Sequence, residues 1–155
     1  MFGFGKNYKE QADIVGSILH EQIYSAMKEN EPLASERLRS PFFLGYFVGF
    51  VKGGLVNSLN VPSDKTRKYY EYICDGIYPK TLFNTINEIT RTVQATKEIF
   101  EEDYISGTKV GLYDGNNFLK WDDSSKRNLK SYLLKQKLYY EDEGAMKSEY
   151  IHFGY

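Results

Sequence analysis

His20 and Asp13 are the first residues of this chain whose types and spacing suit chemistry. They stand seven residues apart, two turns of a helix, so an imidazole and a carboxylate on one side could exchange a proton with a substrate. The sequence holds only two histidines, and His20 follows Leu19 on an apolar seam, which points instead to a polar boundary residue. The second, His152, comes three residues after Glu149, the Glu-x-x-His spacing of di-iron bundles. Such sites need another pair of this kind and two further glutamates. No other pair occurs, so no metal and no cofactor is expected.

Other motifs fail on their own chemistry. Asp114-Gly115-Asn116-Asn117 opens like a calcium loop, but its glycine is misplaced and no glutamate closes it. Gly3-Phe4-Gly5-Lys6 lacks the long spacing and the hydroxyl residue of a phosphate loop. Neither Gly-x-Ser-x-Gly nor Cys-x-x-Cys is present. The single cysteine, Cys74, lies between Ile73 and Asp75 in an aromatic stretch and reads as a buried small hydrophobe. A lone cysteine also fits a reducing compartment. No catalytic residue is assigned.

The last helix is locally basic, with Lys120, Lys126, Arg127, Lys130, Lys135 and Lys137 interleaved with Trp121, Tyr132 and Tyr139. Lys126, Arg127 and Lys130 are candidates for holding phosphates, with an aromatic ring available for stacking. The alternative is a solvated face answering the acidic residues Glu98, Glu101 and Glu102. A net charge of -1 and a pI near 6.1 give no field that draws nucleic acid or an anionic membrane, so neither partner is expected.

The elements that would position these groups centre on Pro41 to Leu59. Gly45, Gly49 and Gly53 are spaced four apart and line one side of a helix, a groove that another backbone can enter. Phe42, Phe43, Leu44, Phe47, Val48, Phe50, Val51 and Leu55 make the rest apolar nearly all round, so the helix must be buried in a core or a bilayer. Lys52 stands inside the stretch, and a central lysine costs roughly 3 kcal/mol on membrane insertion. A core helix ending between Lys52 and Leu59 is therefore expected. Its groove should pack against the first helix or the long one, or against a second copy of the chain.

Around it the sequence reads as helices. Asn7 with Glu10 resembles a capping box, and Tyr8, Ala12, Val15, Leu19, Gln22 and Ala26 follow a four-three seam. Leu33 to Arg39 reads as a short turn before Ser40-Pro41, a cap followed by proline at the first helical position. Ser63 opens a helix that runs to Ile77, and Pro79 opens the longest, with Leu82, Ile86, Ile89, Val93, Thr96 and Phe100 along one seam. Residues 108–121 read as a short β-hairpin turning at Asp114 to Asn117, or as a loop anchored by Phe118 and Trp121. Ser124 or Ser125 caps a final helix to about Tyr140. No repeat or linker divides the chain, and Lys6, Lys9, Glu10 and Asp13 follow the apolar start too closely for an export signal.

The expected architecture is one mainly α domain over 1–155, a bundle of about five helices around the glycine-rich one, at a length that buries a core unaided. The aromatic fraction of 16%, mostly tyrosine, suits contact surfaces. The tail, residues 148–155, is too short for a core of its own. Its Tyr150, Ile151, Phe153 and Tyr155 are candidates for gripping a partner. The expected role is non-enzymatic binding of another protein or of itself, as a cytoplasmic homodimer. Two alternatives stand beside it: an enzyme or small-ligand binder with a tyrosine-lined pocket, and a nucleic-acid-associated regulator using the basic helix.

Overall fold

Short polar side chains start the first helices. Asn7 Oδ1 accepts from the Lys9 amide at 2.8 Å, Asn30 Oδ1 from Leu33 at 3.3 Å, and Ser40 Oγ from Phe43 at 3.2 Å. Each satisfies a donor that a helix start leaves over. The computed structural model describes residues 7–38, 40–77, 101–121 and 128–134. The fold is mainly α, and no strand occurs among the described residues. Helix α1 spans Lys9–Glu29, α2 Glu31–Arg37, α3 Pro41–Lys52, α4 Thr66–Ile77, α5 Glu101–Asn117 and α6 Asn128–Leu133. The expected long helix from Pro79 to Phe100, the start of the last helix, and the tail lie outside the described residues.

Helix α3 is the centre. Phe43, Leu44, Tyr46, Phe47, Phe50 and Val51 are each 1% exposed or less. Burying side chains of this size contributes about 1.5–3 kcal/mol apiece. The helix widens after Lys52 into a π-helical turn, Gly53–Ser58, as the glycines and Asn57 weaken the tighter spiral. Asn60 then takes a positive φ of 60°, a conformation asparagine tolerates, and the chain leaves toward Pro62.

The groove on α3 is filled by α5. A methyl group on Gly45 would stand 2.1 Å from the Tyr104 carbonyl oxygen, one on Gly49 2.3 Å from that of Thr108, and one on Gly53 2.8 Å from that of Leu112. The relationship is reciprocal. Methyl groups on Gly107, Gly111 and Gly115 would meet the carbonyl oxygens of Phe42, Tyr46 and Phe50 at 2.0, 2.1 and 2.5 Å. Contacts advance together along both helices, so α3 and α5 run parallel about a local two-fold axis. At such separations Cα–H groups face carbonyl oxygens, a weak attraction summed over six glycines.

Two expectations are corrected here. Residues 108–121 are not a hairpin: 101–117 form α5 and Phe118–Lys120 a single 3-10 turn. The groove, expected to receive the first helix, the long one or a second copy of the chain, is filled by α5. Gly107, Gly111 and Gly115, of which Gly111 was expected in a strand and Gly115 in the turn, carry the same four-residue spacing as the glycines of α3, 62 positions later. A helix that poor in local propensity forms because its small-residue side fits α3.

The α1 seam closes the core from the other side. Ala12, Val15, Leu19, Gln22, Ile23 and Ala26 are buried, and α4 adds Tyr69, Ile73 and Cys74. Helix α6 is held by Tyr132. Its ring lies 3.9 Å below the Arg37 guanidinium carbon and stacks on Phe42 at 4.4 Å, and its hydroxyl bonds Ser40. Burial raises the Tyr132 phenol above its ordinary value, against the lowering effects of the Ser40 bond and the Arg37 charge.

Candidate functional site

Helix α1 carries a second four-three stripe, opposite the buried one. Glu10, Ile14, Ser17, Glu21, Tyr24 and Lys28 are all exposed. Ile14 is 43% and Tyr24 57% exposed, which is unusual for side chains of their size on a seam with this spacing. The Tyr24 ring is braced by its neighbours: His20 stacks on it at 6.0 Å, and the Lys28 ammonium lies 5.5 Å from its centroid.

A groove flanks this ridge on each side. One, of about 550 Å³, lies between α1 and α4 and includes Asp13, Gly16, Ser17, His20, Tyr72 and Asp75. Tyr72, 41% exposed, donates its hydroxyl to Asp13 Oδ1 at 2.6 Å, and that bond holds its phenol above the ordinary value. The other groove, of about 530 Å³, lies between α1 and the start of α6. Ile18, Phe118 and Trp121 are its apolar wall, and Glu21, Gln22, Ser25 and Lys130 its polar one. Leu119, 63% exposed, adjoins Phe118.

Gln22 ties α1 to α6. It is 7% exposed, and its Oε1 accepts from the Leu129 and Lys130 amides at 3.1 and 3.3 Å. The side chain thus caps a helix from outside that helix. Its Nε2 is buried and has no hydrogen-bond partner among the described residues. Sequence reasoning placed Gln22 on the seam without this role. Only the meeting of two helices 107 residues apart creates it.

The other candidates are dispersed. His20 is exposed, and although both it and Asp13 border the α1–α4 groove, Asp13 is engaged by Tyr72. Lys130 is bound to Glu29 Oε2 at 2.6 Å, a partner on α1. Lys126 and Arg127, like Tyr150, Ile151, Phe153, Tyr155 and His152, lie outside the described residues. Gly45, Gly49 and Gly53 are enclosed by α5. Among the described residues, no group of three or more His, Cys, Asp or Glu side chains is placed to hold a metal ion.

Cys74 is fully buried. Burial pushes its thiol up to about 12, against the lowering effect of its bond with Tyr70. A neutral thiol is a poor nucleophile, so the geometry agrees with a packing role. Among the described residues no helix is long and apolar enough to cross a membrane. Comparison with family models, curated proteins and solved structures finds no match to this chain.

Proposed function

We propose that this chain is a non-enzymatic, cytoplasmic protein-binding module that works as a homodimer, with the α1 side as its contact surface. One observation carries the reading. Of the large apolar side chains most exposed among the described residues, Ile14 and Tyr24 lie on the α1 ridge and Tyr72 lines a groove that flanks it. Apolar side chains gathered on one surface and rimmed by charge favour contact with another protein. The aromatic residues Tyr150, Ile151, Phe153 and Tyr155 join the proposal on composition alone.

Sedimentation equilibrium of the full chain across a concentration series tests it. The expected result is a concentration-dependent mass twice that of the monomer. A mass of 18.0 kDa at every concentration overturns the homodimer. Removing residues 148–155 then asks whether the tail strengthens the same association.

A second reading, a small-ligand binder, is favoured by one feature: Gln22 Nε2, without a partner among the described residues, belongs to a residue lining the groove walled by Phe118 and Trp121. A ligand with a flat apolar body and a hydrogen-bond acceptor fits that chemistry. Native mass spectrometry of the gently purified protein tests it. A bound small molecule lost in the Trp121→Ala variant supports it, and a bare chain counts against it.

A further inference from the structure

From the exposed stripe of α1 we infer the register of the homodimer: two α1 helices meet antiparallel, with the two-fold axis between Ser17 and Glu21. The inference rests on the self-association proposed above. The stripe Glu10, Ile14, Ser17, Glu21, Tyr24, Lys28 keeps the four-three spacing of a two-helix seam over its whole length, about 27 Å at the usual rise. It is also complementary to its own reverse. Turned end for end about its midpoint, Glu10 faces the second copy's Lys28, Ile14 faces its Tyr24, and Ser17 faces its Glu21.

A parallel arrangement does the opposite. It sets Glu10 on Glu10, Glu21 on Glu21 and Lys28 on Lys28, three like-charge contacts in one seam. Like charges brought together across an interface penalise that partner and register. The antiparallel arrangement replaces the outer two with opposite-charge pairs, formed twice by symmetry. It also opposes the helix dipoles. The apolar contacts, Ile14 on Tyr24 in both directions, then lie one step inside the charged ends, an apolar pair rimmed by charge. The two grooves run along the sides of the ridge, one bordered by Ser17 and the other by Glu21.

Charge reversal with rescue tests the register, read as the dimer dissociation constant by sedimentation. Glu10→Lys and Lys28→Glu, each alone, should weaken the dimer by about tenfold or more, and the double variant should return it to within a few-fold of wild type. Ile14→Glu and Tyr24→Glu should each leave monomer at concentrations where wild type is dimeric. All four positions are exposed, and circular dichroism reports whether each variant keeps its helices. A wild-type chain that is monomeric throughout overturns both the homodimer and this register. A wild-type dimer indifferent to all four substitutions, or single variants that the double variant does not rescue, overturns the register alone.

Discussion

The Tyr46 hydroxyl donates to Asp114 Oδ2 across 2.7 Å, joining α3 to α5 where both residues are 1% exposed. The bond lies alongside the glycine contact, within the same pair of helices. Backbones close enough for Cα–H to touch carbonyl oxygen leave little freedom in register, and a buried polar bond fixes what remains. The Asp114 side of the pair is thus part of the packing, although its Asp-Gly-Asn-Asn sequence reads as a turn.

Tyr46→Phe should destabilise the protein by about 1–3 kcal/mol, because it removes a buried donor and keeps the ring. Urea unfolding followed by circular dichroism measures it. A change below about 0.5 kcal/mol, half the usual net value of such a bond, would mean that it contributes little.

Alanine at Gly49 or Gly111 should cost more than about 3 kcal/mol. Each added methyl would stand 2.3 or 2.1 Å from a carbonyl oxygen of the other helix, so the two backbones must part. The local two-fold makes the two substitutions equivalent, and similar losses are expected. Gly76→Ala is the control. Among the described residues nothing lies within 4 Å of its new methyl, and alanine should stabilise α4 by up to about 1 kcal/mol. Parallel urea titrations of the three variants decide whether glycine is required for fit.

Stability should fall as pH rises past about 9. The Cys74 thiol is raised from 9.0 to about 12 in the folded chain, so between those values the unfolded chain has lost a proton that the folded chain keeps. The Tyr70 phenol is raised by burial and by Cys74, and it acts with the same sign. Its contribution is complete below the unfolded value and is lost through the window above it. Urea midpoints from pH 7 to about 10.5 should decline, and less steeply in Cys74→Ala. A thiol reagent at pH 8 should label the native chain slowly and the unfolded chain at once.

Gln22→Ala should loosen α6 before the rest of the fold. The substitution strips the acceptor from two helix-start amides, a cost of about 1–3 kcal/mol. Hydrogen exchange should show faster exchange at Leu129 and Lys130 while the α3 and α5 amides stay protected. Equal loss everywhere would instead make Gln22 part of the common core.

Composition and periodicity alone made this chain mainly α. They also set Ala12, Val15, Leu19, Gln22 and Ala26 inward on α1, started α3 at Ser40-Pro41, and buried its apolar face, because each of those signals is local. A cap, a proline and a repeating apolar step act within one or two turns, and they act alike in any fold. Residues 108–121 went the other way. Gly111, Gly115 and Asn116 carry strong turn propensity, and a turn is what they would form alone. They are helical because Gly45, Gly49 and Gly53 offer a surface that only a side-chain-free helix can meet, and that surface lies 62 residues away in sequence. The outer stripe of α1 was likewise invisible: Ile14 and Tyr24 are ordinary helical residues until the core has settled which side of α1 faces inward. Local spacing therefore determined the kind of element and most of the buried face. Tertiary contact alone decided which helix filled the groove and which side chains were left facing outward, since both depend on the match between surfaces far apart along the chain.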